Sequence, residues 1–124
     1  MRKHFFFMLY FIFINFFINS CDKIIFIGNS DTGFNSLSSL GIEAQIEPDD
    51  AYNRSKPYLN KTFELRQKYR PENFIFNRRK IDYIVLKGDW YFVIRDTYPA
   101  KNLSYYLDYA VKINKKTGEL IIPH

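Results

Sequence analysis

Two apolar runs on either side of a glycine restrict the fold of this chain more than any other feature. From Ile81 to Leu86 the pattern has period two, with Ile81, Tyr83 and Val85 on one side and Ile84 and Leu86 on the other. Lys87, Gly88 and Asp89 follow, and then Trp90 to Arg95, where Trp90, Phe92 and Ile94 alternate in turn. Alternation of this kind belongs to a strand rather than a helix, and a glycine between two such runs supplies the positive φ of a tight hairpin. A second hairpin is expected after a long loop from Asp96 to Tyr106: Tyr109, Val111 and Ile113 alternate, Asn114 to Gly118 form the turn, and Glu119 to Ile122 return.

Upstream the period changes to that of a helix. Glu47, Pro48, Asp49 and Asp50 form a helix start, because proline suits the first turn and carboxylates there face the positive end of the helix dipole. Ala51, Ser55, Leu59 and Phe63 recur every four residues, with Tyr52, Tyr58, Leu65 and Tyr69 beside them, so one apolar face runs to about Tyr69. Pro57 lies inside it and removes a backbone donor, which leaves one bent helix or two short ones. The expected fold class is therefore α+β: an N-terminal helix, kinked or divided at Pro57, packed on a four-stranded antiparallel sheet of two hairpins. Residues 21–46 are rich in Asn, Ser, Gly and Asp without a sustained period and are read as a flexible tether. Ile24 to Ile27 stands out within them as a candidate edge strand.

The first twenty residues set the expected location. Arg2, Lys3 and His4 precede Phe5 to Ile18, an apolar run interrupted only by Asn15, and the polar residues after it come too early for a membrane span. This is the layout of an export signal. Ile18, Asn19, Ser20 and Cys21 resemble the lipobox of bacterial lipoproteins, with Asn19 departing from the usual small residue. Cys21 is the sole cysteine of the 124 residues, so no internal disulfide competes for it. The resemblance implies cleavage after Ser20, lipidation of Cys21, and a membrane-anchored domain in the bacterial cell envelope.

A PepSY-type module, a small exported α+β domain, is similar in element order. The acidic helix start with Ala51 precedes hairpins that end in Ala110, Val111, Lys112 and Ile113 and a turn of Lys116, Thr117, Gly118 and Glu119. That gives a PepSY-like or cystatin-like domain over residues 47–124. The same turn resembles the end of NTF2-fold immunity proteins, and the run from Asp82 to Tyr98 looks like that of a group of small bacterial lipoproteins. By resemblance to PepSY modules, binding would restrain an exported or membrane-associated enzyme.

Chemistry is bounded by what the chain lacks. Its two histidines are His4, in the signal, and His124, so a Ser/His or Cys/His nucleophile and an ordinary zinc site have no parts in the domain, and no metal or cofactor is expected. Asp31, Thr32 and Gly33 match the core of aspartic proteases, but there is one copy behind polar Asn29 and Ser30, which reads as a solvated turn. A carboxylate-dependent enzyme would instead need a cleft around Asp82, Asp89, Asp96 or Asp108. The leading reading is a non-catalytic binding or inhibitory module. An immunity protein that neutralises a toxin, a small carboxylate enzyme and a purely structural envelope component are the alternatives.

Residues 54–87 carry ten basic and three acidic groups. Such a surface attracts anionic headgroups or an acidic envelope partner, and export argues against nucleic acid. Long loops on a rigid sheet are where binding surfaces are built. The candidate binding residues are accordingly Arg78, Arg79, Lys80, Asp96, Tyr98 and Tyr105.

Overall fold

In the computed structural model of the chain, residues 23–69, 79–97 and 105–124 are described. Strands β1 (Ile24–Asn29) and β2 (Gly33–Phe34) come first, then helices α1 (Pro48–Ser55) and α2 (Leu59–Tyr69). Strands β3 (Ile81–Lys87) and β4 (Trp90–Asp96), the short helix α3 (Tyr105–Tyr109), and strands β5 (Val111–Asn114) and β6 (Leu120–Ile121) complete the order. The fold is α+β with a six-stranded antiparallel sheet in the order β2-β1-β3-β4-β5-β6.

The hairpin expected around Gly88 lies at the centre. Its register runs from Lys87↔Trp90 at the turn to Ile81↔Asp96 at the open end, and Gly88 has the left-handed φ of 61° that the turn requires. Both strands are buried nearly throughout, so both faces of the sheet must be covered. One face carries Ile84, Leu86, Tyr91, Val93, Val111 and Ile113 under Leu37, Ile46, Ala51 and Leu59. The other carries Tyr83, Val85, Phe92 and Ile94, with Ala110, Leu107 and Tyr109 among the residues packed there.

The sheet has six strands where four were expected, and the difference begins with β1. The segment read as a tether pairs with β3 from Ile24↔Lys87 to Asn29↔Tyr83, and Ile27 and Leu37 are fully buried. Residues 24–46 therefore belong to the folded unit. Covering β3 on its outer side satisfies backbone groups that would otherwise be stranded in a buried hairpin. Gly28 accommodates an irregularity in β1 and the close approach of β2: the register to β3 shifts between Phe26 and Gly28, and a Cβ at Gly28 would meet the Gly33 carbonyl oxygen at 2.2 Å. The Asp31, Thr32, Gly33 segment is the β1–β2 turn, in which the Asn29 side-chain oxygen accepts from the amides of Asp31 and Thr32 at 2.9 Å each.

Pro57 divides the helix rather than bending it. The amide of Lys56 makes the last bond of α1, to the Tyr52 carbonyl, and a 3-10 turn from Lys56 to Tyr58 leads into α2. The division gives the halves different tasks. Helix α1, which opens with Pro48, Asp49 and Asp50 as expected, packs over β4 and β5, whereas α2 packs against β4. Pairing with β5 stops at Val93, and the Arg95 amide beyond it donates to Thr62 Oγ1 of α2 at 3.0 Å. Tyr109 ends α3 rather than starting a strand. Ile27→Ala is expected to lower unfolding free energy by about 2–5 kcal/mol in urea titration, whereas a flexible tether would leave the midpoint unchanged.

Candidate functional site

The open end of the β3–β4 hairpin gathers the polar chemistry of the described residues, and it does so on both faces. On the face beneath α1, Asp82 and Arg95 are cross-strand partners. Arg95 Nε donates to Asp82 Oδ1 at 2.7 Å and a terminal guanidinium nitrogen donates to Oδ2 at 3.2 Å, a two-point grip. Tyr52 Oη of α1 donates to Oδ2 at 2.6 Å. The other terminal nitrogen of Arg95 donates to Asn60 Oδ1 at 2.7 Å. The backbone of Asp82 is held as well, since its amide donates to Ser30 Oγ and its carbonyl accepts from the Ser30 amide. Through its backbone and its carboxylate, Asp82 thus joins the β1–β2 turn, α1, β3 and β4, and Arg95 extends the link to α2.

The electrostatics follow from this geometry. Burial first, then the hydrogen bond to Asp82 and its negative charge, together push the Tyr52 hydroxyl up to about 12 against the opposing Arg95 charge. Arg95 is raised from its ordinary value, chiefly by its hydrogen bond to Asp82. The arrangement keeps an anion, a cation and a neutral phenol in place, and the Asp82 oxygens are already engaged by three donors.

Asp96, expected from the sequence to take part in binding, lies on the opposite face and is fully buried. Its Oδ2 accepts from Arg66 Nε of α2 at 3.1 Å, with both side chains at 3% exposure or less, and its Oδ1 accepts from the Thr97 amide. Asp96 therefore cannot form part of a binding surface as expected. Arg79 and Lys80 do remain exposed nearby, immediately before Ile81, the Cα partner of Asp96. Arg79 pairs with Asp31 of the β1–β2 turn, and Lys80 Nζ sits 4.3 Å from the centre of the Phe63 ring. Near the C-terminus of α2, Tyr69 stacks on Tyr109 of α3 with ring centres 5.9 Å apart, and Tyr69 is 54% exposed. Tyr105 opens α3, so the chain returns to this neighbourhood at that position. Cys21, Arg78 and Tyr98, with the signal segment 1–20, lie outside the described residues.

The four aspartates proposed for a carboxylate site are not brought together. Asp82 and Asp96 are on opposite faces, Asp89 is in the β3–β4 turn within 3.5 Å of Lys115 and Lys116 Nζ, and Asp108 is exposed on α3. An open groove of about 570 Å³ lies elsewhere, lined by Ser38, Ile42, Glu43, Gln45 and Glu47 among others, and contains none of the sequence-derived candidates. Among the described residues, no group of three His, Cys, Asp or Glu side chains could hold a metal, and no helix is long and apolar enough to cross a membrane.

The Asp82, Arg95, Tyr52 cluster was missed in the sequence, although the hairpin turn alone fixes Asp82 opposite Arg95. An opposite-charge pair on facing strands was the available signal. No family model, curated protein or solved structure matches the chain.

Two outcomes test these assignments. Asp96→Asn leaves Arg66 buried beside a neutral partner, so it is expected to cost about 3–5 kcal/mol in chemical unfolding, whereas Arg79→Gln stays within about 0.5 kcal/mol. The raised Tyr52 value means that folding favours the protonated phenol. Its contribution is complete below the unfolded value of about 10 and is lost as pH rises through about 12. Tyr52→Phe should therefore flatten the alkaline part of a stability-versus-pH curve between about 10 and about 12, leaving the part due to Tyr83 and Tyr91, whose hydroxyls burial also raises.

Proposed function

We propose that this is a lipid-anchored cell-envelope protein, held through Cys21, whose small α+β domain acts by binding rather than catalysis and restrains an envelope protein partner. The observation that carries the reading is the division of labour at the open end of the sheet. Asp82, Arg95, Arg66 and Asp96 are occupied in tying helices to strands, while Arg79, Lys80 and Tyr69 are left on the outside of that rigid frame. Cations and an aromatic ring on a preorganised surface suit a partner that presents carboxylates, because little side-chain order remains to be lost on binding. PepSY-like identity fits the order of helices, then β3–β4, then β5–β6 over residues 47–124, with β1 and β2 standing outside that order. It also supplies the expectation that the partner is an enzyme of the same compartment.

The anchor is tested by intact mass and membrane fractionation of the expressed full-length protein beside Cys21→Ser. The expected wild-type mass shows loss of residues 1–20 and gain of acyl groups, with the variant unlipidated and released. An unmodified Cys21 in the wild type would sink the reading. For the binding surface, Arg79→Glu with Lys80→Glu should abolish crosslinking to an envelope partner captured by the wild type, while the unfolding midpoint stays near that of the wild type.

A further inference from the structure

The anchor reading acquires a geometric consequence because β1 begins at Ile24, three residues after Cys21. Three extended residues span at most about 10 Å, so the folded domain has no long tether and must sit at the bilayer surface. The end of the sheet nearest the anchor is then fixed by register. Ile24 pairs with Lys87, Lys87 with Trp90, and Trp90 with Asn114, so the start of β1, the β3–β4 turn and the β5–β6 turn all lie at that end.

That end has the chemistry of a membrane interface. Lys23 and Lys116 are exposed, Lys87 and Trp90 are half-buried, and Lys112 lies one row inward against Phe92. The five lysines of this end, Lys23, Lys87, Lys112, Lys115 and Lys116, outnumber the carboxylates of Asp89, Glu119 and Glu43, the last of which lends its carbonyl to Lys115. Lysines reach anionic headgroups, and tryptophan is favoured at headgroup level, where its ring is apolar and its N–H can be hydrated. The opposite end carries Arg79, Lys80 and Tyr69. Strand β3 alone, at about 3.4 Å per residue, separates the two ends by about 20 Å, beyond the screening length of about 8 Å. Headgroup attraction therefore does not explain the Arg79 and Lys80 surface, which faces away from the bilayer.

We propose that the lipidated protein stands on an anionic lipid surface through Lys23, Lys87, Trp90 and Lys116, and so presents Arg79, Lys80 and Tyr69 outward to its partner. This rests on lipidation at Cys21. Trp90 is the sole tryptophan of the chain and serves as the reporter. The acylated protein is reconstituted in phosphatidylcholine vesicles with a minority of phosphatidylglycerol and a nitroxide-headgroup lipid, and its fluorescence is compared with that of a Trp90→Phe, Tyr69→Trp variant. Strong quenching of Trp90 is expected, with the reporter at position 69 close to its intensity in nitroxide-free vesicles. Weaker Trp90 quenching is expected when phosphatidylglycerol is omitted. Equal quenching of the two reporters, or Trp90 quenching indifferent to phosphatidylglycerol, overturns the orientation while an acylated mass of the same sample keeps the anchor. A sample without acyl mass overturns both.

Discussion

A seven-pair antiparallel ladder buried on both faces is the constraint that the rest of the molecule satisfies. With β3 and β4 out of water, the chain must supply apolar cover twice and must pair the outer backbone groups of both strands. Helix α1 and the 37–46 segment cover one face. Strand β1 pairs with β3, while β5 and then Thr62 of α2 take the outer side of β4. A domain of this size has little core to spare, which is why 23 residues of polar appearance before α1 are drawn into the fold.

The buried charges at the open end follow from the same constraint. Helices that cover a sheet end must be positioned by something directional, and apolar contacts have no direction. The Asp82, Arg95, Tyr52 cluster and the Arg66, Asp96 pair provide it, at a desolvation cost that Coulomb attraction alone need not repay. What they supply is a single arrangement: the division at Pro57 gives α1 and α2 independent directions, and each helix is pinned to the hairpin by its own polar contact. Lys115 plays a comparable part at the other end, where its carbonyl accepts from the amides of Gln45 and Ile46 and its Nζ donates to the Glu43 carbonyl.

Local pattern was sufficient for the elements whose two faces differ or whose turn is specified. The central hairpin, the acidic start of α1, the break at Pro57 and the Asn114 to Gly118 turn were all legible for that reason. Strand β1 was only half legible: Ile24, Ile25, Phe26 and Ile27 form a continuous apolar run although Phe26 is exposed in the fold, and such a run has no period to count. Its pairing with β3 is a long-range fact set by the need to cover a neighbour. Strand β6 is two residues long, too short to announce itself beyond its turn. Of the candidate binding residues, Arg79 and Lys80 are exposed, whereas Asp96 is buried: a charged residue at a strand end looks solvated until a helix residue 30 positions earlier is found against it.

Charge counting was the least informative guide, for a physical reason that applies to small basic domains in general. The excess of cations between residues 54 and 87 suggests a continuous field, yet the described members are dispersed by their packing. Arg54 pairs with Asp50, Lys56 lies over the Tyr52 ring, Arg66 is buried on Asp96, and Lys80 covers Phe63. Long basic side chains shield apolar rings with their stems while keeping the charge in water, so they serve the fold before they serve a partner. A net charge read from sequence therefore overstates the charge available for recognition.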